Sequence, residues 1–198
     1  MILYEHPFNE RIRTYLRLEH LFARLGALAE RDSALDHHYA LATLFEIMDV
    51  AGRAELKTDV LKDLDKQKNT LMAFRDNPAI DESALNKVIA DLDGAFTTMS
   101  QTPGRVGGVL GENDWLMSVR SRVSIPGGTC SFDLPSYYSW QHLPSDARKA
   151  DLLPWMNALL PMHGAVKLLL RLVRDSGNAQ KMIAVAGNFQ QYIPQGKP

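Results

Sequence analysis

The strongest constraint on the fold is the spacing of apolar residues, which recur every three to four positions through the first half of the chain. Asn9, Ser33 and Asp81 each stand just before such a run. Their side-chain oxygens are suited to accept the free amide N–H groups of a first helical turn. The sequence therefore predicts four consecutive helices. They span residues 9–30, 33–52, 53–74 and 81–99.

The second half is divided by proline and glycine. A short amphipathic helix is predicted at 115–123, and the composition of 124–135, with its Pro-Gly-Gly sequence, predicts a loop. Ser136 and Ser145 each precede a further helix, and a last helix is predicted at 162–175. This last helix is apolar nearly all round, which makes it a candidate surface for dimerisation.

The pattern changes near the carboxyl end. Two short apolar runs, 182–186 and 189–192, flank Gly187-Asn188, a pattern typical of a β-hairpin. A lone hairpin is only marginally stable in water. We therefore expect partner strands beyond the last residue, and so a chain truncated at its C-terminus. The predicted fold is mainly α: a helical dimerisation and partner-binding domain at 1–178 and the start of a small β-strand region at 179–198, α+β overall.

Composition excludes several classes of protein. The chain has 22 Lys and Arg against 23 Asp and Glu, a net charge of −1, which argues against a basic protein drawn wholesale to nucleic acid. A single cysteine excludes an internal disulfide framework and a four-cysteine zinc site. The amino terminus lacks the features of a signal peptide, and no apolar run reaches the ~20 residues of a membrane span. We expect a cytoplasmic protein without direct membrane insertion.

No pattern of catalytic residues stands out. His37 and His38 are adjacent, so on a helix they point about 100° apart and are poorly placed to share a metal ion. Cys130, in a glycine-rich turn, is either a nucleophile or a buried structural thiol, and the lack of a neighbouring base favours the second. We expect no enzyme activity, no metal and no cofactor.

The arrangement of the charges is more informative than their total. Cations share one face of the first and of the last helix, within about 60° on the first at 100° per residue. They are Arg13, Arg17, His20, Arg24 and Arg31 on the first, and Lys167, Arg171 and Arg174 on the last. Two interpretations stay open: solvated faces whose acids come from neighbouring helices, or docking sites for an acidic partner. Arg120 and Arg122 share a face only if their segment is extended.

Three blocks of sequence resemble a known family. They are Tyr4-Glu5-His6-Pro7-Phe8-Asn9-Glu10 with Arg13-Thr14 and Leu16-Arg17; Asp49-Val50 with Leu61-Lys62-Asp63-Leu64 and Gln67; and Arg120 to Arg122 followed by Ser124-Ile125-Pro126-Gly127-Gly128-Thr129-Cys130-Ser131-Phe132-Asp133-Leu134-Pro135 with Trp140. Together they resemble the cell-division protein ZapD family, the Z-ring-associated protein D, over essentially the whole chain.

The resemblance implies a non-enzymatic cytoplasmic protein at midcell. It implies a symmetric homodimer that binds FtsZ, the tubulin-like division protein, and crosslinks its filaments into bundles at the division ring. It also implies a mostly helical domain followed by a smaller β domain, and contact with the acidic carboxy-terminal tail of FtsZ. Arg13, Arg17, Arg120 and Arg122 match the family blocks as partner-binding residues. We extend the partner-binding set by spacing to His20, Arg24, Lys167 and Arg171.

Charge alone is too weak for such a complex. Exposed ion pairs contribute about 0.2–1 kcal/mol each, whereas a micromolar complex needs about 8 kcal/mol. Apolar contact is therefore expected as well, onto Trp115, Tyr137 or Tyr138. The alternative function is a nucleic-acid-binding helical module that uses the same basic faces, with steeply salt-dependent binding to duplex DNA. The net charge of −1 argues against this alternative, and no nucleic-acid partner is expected.

Overall fold

The computed structural model describes residues 3–75, 77–177, 179, 181–184 and 186–190. These residues form eight α-helices and one 3₁₀ helix. The α-helices are α1 Glu10–Ala29, α2 Ala34–Ala51, α3 Leu56–Met72, α4 Glu82–Gln101, α5 Asp114–Val123, α6 Pro135–Gln141, α7 Ser145–Asn157 and α8 Leu160–Asp175, and the 3₁₀ helix Gly108–Glu112 precedes α5. The predicted mainly helical fold is confirmed.

Side-chain caps fix where three of the early helices begin. The Asn9 Oδ1 atom accepts a hydrogen bond from the Ile12 amide at 2.8 Å, and the Ser33 and Asp81 side chains each accept one from a first-turn amide at 3.1 Å. Each bond satisfies a donor that the helix itself leaves free. The predicted starts of α1, α2 and α4 are confirmed for this reason.

The starts of α3 and α8 differ from the prediction by two or three residues. Helix α3 begins at Leu56, because residues 53–55 form a turn and no side chain caps the helix. Helix α8 begins at Leu160 rather than at residue 162, and Pro161 lies in its first turn. Proline is tolerated there because the first amides of a helix have no intrahelical acceptor.

The apolar side of α8 forms the centre of the core. Met162, Ala165, Val166 and Leu169 are buried, and the helix packs against α1, α3 and α4 of its own chain. The apolar residues that suggested a dimer surface are therefore largely occupied within the chain. Helix α1 lies between α8 and α2, which leaves one long side of α1 open to solvent.

The described residues after 177 contain no β-strand, so the predicted β-strand region is not seen. Ala186 and Gly187 have positive φ angles of 51° and 78°, which are typical of a hairpin turn, and Asn188 forms a single bridge. The turn lies one residue earlier than predicted. Two short runs without partner strands are too little for a stable sheet. Val185 and residues 191–198 of the predicted hairpin lie outside the described part of the chain.

A buried arginine joins the turn after α1 to the turn before α7. The Arg148 side chain is 5% exposed, and its guanidinium donates to the Asp32 carbonyl at 2.5 Å, to the Gln141 carbonyl at 3.2 Å and to the Leu143 carbonyl. Arg148 Nε also donates to His37 Nδ1 at 2.9 Å. Every acceptor is uncharged, so the cation is stabilised by hydrogen bonds rather than by a carboxylate.

These contacts also define the protonation of His37. Since Arg148 Nε can only donate, His37 Nδ1 must accept, and the ring proton is therefore on Nε2, which lies 2.6 Å from the Arg31 carbonyl. Burial, which disfavours the charged ring, lowers the pKa of His37, and the positive charge of Arg148 lowers it further. His37 is thus a neutral link between α2 and α7.

An aromatic cluster supports α5, α6 and α7 beside this network. The Trp115 ring stacks on Trp155 at a centroid distance of 5.5 Å, and Tyr137 stacks on Trp140 at 5.9 Å. The Tyr137 side chain is wholly buried, and its hydroxyl lies 2.6 Å from His38 Nδ1. Tyr137 is therefore not available to a partner, contrary to prediction, whereas Tyr138 is 47% exposed.

Replacing the buried arginine should strongly destabilise the fold. We expect Arg148→Met to lower the free energy of unfolding by about 3 kcal/mol, because it leaves His37 Nδ1 and several buried carbonyls without a donor. Urea denaturation measures the change. The matched control is Lys149→Met, since Lys149 pairs with the exposed Asp32 carboxylate and its loss should change the free energy of unfolding far less. Equal effects of the two substitutions would contradict the role of Arg148.

Stability should also fall as the solution is acidified. Burial lowers the pKa of His37, His38 and His163 below the ordinary 6.5. In the unfolded chain these groups return to about 6.5, so near pH 6 the unfolded chain binds more protons than the folded one. The free energy of unfolding therefore decreases as pH falls through 6.5 toward the folded pKa values. Urea midpoints at pH 7.5, 6.5 and 5.5 test this, and a constant midpoint would contradict it.

Candidate functional site

The open side of α1 forms one wall of a groove of about 640 Å³, which we call the α1 groove. The other walls come from α2 and from the extended segment before α1. Four of the predicted partner-binding residues lie together here: Arg13, Arg17, His20 and Arg24. The remaining lining residues are Glu5, Pro7, Leu16, Leu21, Glu46, Asp49 and Val50.

Acidic residues lie against these cations. Arg13 Nη1 is 2.7 Å and Arg17 Nη1 is 3.4 Å from the carboxylate of Glu10. Arg24 Nη2 is 2.6 Å from Glu46 Oε1, without the alignment of a hydrogen bond. The α1 groove therefore contains paired charges: its three arginines form ion pairs with Glu10 and Glu46, and its lining also includes the carboxylates of Glu5 and Asp49.

Arg120 joins this groove and Arg122 does not. The Arg120 guanidinium donates to the Asp49 carboxylate, which is part of the groove lining. Because α5 is helical, Arg122 lies about 200° around it from Arg120 and is exposed elsewhere. The two residues therefore do not share a face, and the extended arrangement considered from the sequence does not occur.

The glycines of the Ile-Pro-Gly-Gly sequence end α5 in a tight turn. Gly127 has a φ angle of +70°, which favours glycine. A Cβ atom at Gly128 would lie 2.6 Å from the Arg122 carbonyl oxygen, closer than packing permits. Glycine is therefore required at both positions for the loop to close against the end of the helix that carries Arg120.

A second groove, of about 530 Å³, lies between α4 and α8, and we call it the α8 groove. It contains the predicted residues Lys167 and Arg171 together with Glu19, Asp91 and Asp175. Arg171 Nη2 is 3.5 Å from Asp91 Oδ2. Among the described residues, no carboxylate lies within ion-pair distance of Lys167.

Arg174, which lines the α8 groove, binds two carboxylates at once. Its Nε and Nη2 atoms are 2.6 and 2.8 Å from the two oxygens of Glu5, and its Nη1 and Nη2 atoms are 2.7 and 2.6 Å from those of Glu19. Glu5 also lines the α1 groove, so this ion pair connects the two grooves. Hydrogen bonding from Arg174 lowers the pKa of Glu5, which stays ionised.

The structure thus divides the predicted partner-binding residues into three sets. Arg13, Arg17, His20, Arg24 and Arg120 surround the α1 groove, Lys167 and Arg171 lie in the α8 groove, and Arg122 stands apart. The set of predicted partner-binding residues did not include Arg174, although the sequence places it on the same basic face as Lys167 and Arg171, and it did not include the acidic partners of Arg174. The spacing of Arg174 from Lys167 signals a shared helix face, but partners 155 and 169 residues away give no local signal.

The residues considered for catalysis or metal binding are the two histidines and Cys130. His37 and His38 bind different groups, Arg148 and Tyr137. Cys130 is exposed, so the expectation of a buried thiol is wrong; the residue lies on the turn that follows Gly127-Gly128. In the described part of the chain, no group of three or more His, Cys, Asp or Glu side chains is placed to hold a metal ion.

The features that the structure describes define a helical protein with two charged grooves. None of the described helices is both long and apolar enough to cross a membrane. Comparison with known proteins gives the class: the profile of a family described as a cell division protein, ZapD, matches residues 16–198. The chain belongs to the ZapD family, whose members are cell-division factors.

Three relatives illustrate the similarity. Proteins named cell division protein ZapD from Ralstonia nicotianae, Ralstonia pickettii and Cupriavidus necator are 54%, 53% and 52% identical to the chain. Each alignment covers 98% of the chain and 77% of the relative. The resemblance inferred from the sequence blocks is confirmed.

Proposed function

We propose that this chain binds FtsZ and crosslinks its filaments into bundles at the division ring, as a symmetric dimer in the cytoplasm at midcell. Membership of the ZapD family carries this proposal, since its relatives are named cell division proteins. The protein acts as a non-enzymatic factor that gathers filaments.

The α1 groove is the proposed binding surface for FtsZ. It gathers three arginines and His20, all selected from the sequence, and Arg120 approaches it through Asp49. Arg13 and Arg17 reach solvent, with 43% and 54% of their side chains exposed, so carboxylates of an acidic peptide can approach them. This arrangement fits the acidic tail that the family resemblance implies.

Apolar groups in the same groove supply the energy that ion pairs lack. Leu16, Leu21 and Val50 line the groove between the charges. Burying one side chain of a partner against them contributes about 1.5–3 kcal/mol, as much as several exposed ion pairs together. The expected ligand is therefore an acidic peptide with at least one apolar side chain.

Bundling requires two binding sites in one particle. A monomer with one groove can coat a filament, whereas a two-fold dimer presents two grooves and joins neighbouring filaments. Linking two sites also raises the effective affinity for a filament, which displays many copies of the same tail. Dimerisation is thus part of the proposed mechanism.

Reversing one groove cation tests the proposed surface. We expect Arg17→Glu to weaken cosedimentation with FtsZ filaments about tenfold, because a favourable charge contact becomes repulsive. Arg17 is exposed, so thermal unfolding followed by circular dichroism should be nearly unchanged. The matched control is Lys62→Glu, which makes the same charge change on the exposed side of α3.

Equal cosedimentation of Arg17→Glu and Lys62→Glu would exclude the α1 groove as the binding surface. The same two variants also address the nucleic-acid alternative. A nucleic-acid module would bind duplex DNA with a steep dependence on salt and would lose that binding in Arg17→Glu. We expect no such binding at physiological salt, since the groove arginines already face carboxylates.

The dimer can be tested without FtsZ. We expect light scattering after gel filtration to give about twice the 22.2 kDa chain mass at micromolar concentration. Bundling should decline together with the dimer when the protein is diluted, because only the dimer holds two grooves. A monomer that still bundles filaments at full activity would contradict the two-site mechanism.

A further inference from the structure

The segment before α1 has few contacts with the rest of the described chain. Residues 3–8, which we call the N-terminal strap, have no regular secondary structure, and their backbone makes no hydrogen bond to the described helices. Leu3, Tyr4 and Phe8 are 72%, 84% and 77% exposed. Only Pro7 is half-buried.

The polar contact that holds the N-terminal strap is the ion pair between Glu5 and Arg174. The guanidinium fork receives both oxygens of Glu5, the geometry that arginine prefers for any carboxylate. The second carboxylate that Arg174 binds is that of Glu19, which belongs to α1 and is positioned by that helix. Arg174 therefore binds one carboxylate that a helix positions and a second from a segment with few other contacts.

The ion pair between Glu5 and Arg174 is open to competition. Its two side chains are 37% and 39% exposed, and exposed ion pairs are weak and are screened by salt. Displacing Glu5 would also change the charge balance of the α1 groove. Glu5 is one of three carboxylates in the lining of that groove, and without it Glu46 and Asp49 remain beside the three lining arginines.

Another cation lies along the same helix. Lys167 is two turns before Arg174 on α8, lines the α8 groove, and has no described carboxylate within ion-pair distance. An extended peptide whose carboxylate replaced that of Glu5 on Arg174 would pass from the α1 groove toward Lys167. The chain's own strap, which has no regular secondary structure and carries a glutamate among apolar residues, shows the kind of peptide that fits.

We propose that Arg174 is a further partner-binding residue that receives a carboxylate of an acidic, extended peptide, and that Glu5 of the N-terminal strap occupies it until the peptide displaces it. This inference rests on the proposed function: it adds a binding residue to the FtsZ surface and gives that surface a competitor within the same chain.

Binding of a labelled peptide tests the competition. The probe is a fluorescein-labelled peptide with the acidic carboxy-terminal sequence of FtsZ, measured by anisotropy. We expect Glu5→Gln to bind it about two- to fivefold tighter than the unaltered chain, the range that corresponds to one exposed ion pair. The control Glu112→Gln removes the same charge at an exposed residue of the 3₁₀ helix and should leave the affinity unchanged.

The role of Arg174 itself needs the double variant. The variant that combines Glu5→Gln with Arg174→Gln should lose the gain in affinity. The guanidinium that would bind the carboxylate of the peptide is removed, even though Glu5 no longer holds the strap. A Glu5→Gln variant that binds the peptide no tighter than the unaltered chain would overturn the inference, even where FtsZ binding itself is observed. A double variant that keeps the full gain would overturn it as well.

Proteolysis reports on the strap without FtsZ. Chymotrypsin cleaves after Tyr4 and Phe8, and the rate, followed by mass spectrometry, should rise in Glu5→Gln. We expect hexaglutamate to raise the rate in the unaltered chain, and hexaglutamine at equal concentration to have no effect. If the FtsZ peptide binds no variant, the proposed function fails, and the comparison of the two hexapeptides decides the inference by itself. Equal cleavage rates with the two hexapeptides would overturn the inference. Faster cleavage with hexaglutamate would support it.

Discussion

The buried guanidinium of Arg148 is the interaction on which the arrangement of α2, α6 and α7 depends. It donates to carbonyls of two separate turns and to His37, so one side chain fixes α2 and the turn after α1 to the consecutive helices α6 and α7. Burying a cation without a carboxylate is costly, and the cost is met only where every acceptor is in place. The network therefore tolerates few alternative arrangements of these helices. Helix α2, which forms one wall of the α1 groove, is linked to α7 by this network and packs along α1.

The surface shows a different use of charge. Near-equal numbers of acidic and basic residues could have been scattered, but the described grooves place arginines opposite carboxylates from other helices. Both interpretations of the basic faces thus have a basis in the structure. Neighbouring helices do contribute acidic residues, and the basic faces do line grooves. A surface of this kind binds an acidic ligand by exchanging one carboxylate for another. Such an exchange favours specific ligands, since a general attraction for polyanions is largely cancelled within the groove.

What could be predicted from the sequence is what depends on neighbouring residues. Asn9, Ser33 and Asp81 are local signals, and the helices after them begin where expected. The gathering of Arg13, Arg17, His20 and Arg24 follows from helical period alone. The partners of these residues could not be predicted, because Glu46, Asp49 and the double contact of Arg174 depend on how helices pack. The apolar residues of α8 were assigned to a dimer for the same reason: periodicity shows that a face is apolar but not which surface covers it.

The turn at Gly127-Gly128 has a consequence for how this molecule can be observed. Cys130, the one cysteine of the chain, stands exposed on it. Its amide donates to the Gly127 carbonyl, and its carbonyl accepts from the amides of Asp133 and Leu134. A thiol that is unique and accessible on a hydrogen-bonded turn is a natural position for a spectroscopic label. In a two-fold assembly, one probe on each copy would give a single distance between the copies. That distance would measure how the chain assembles.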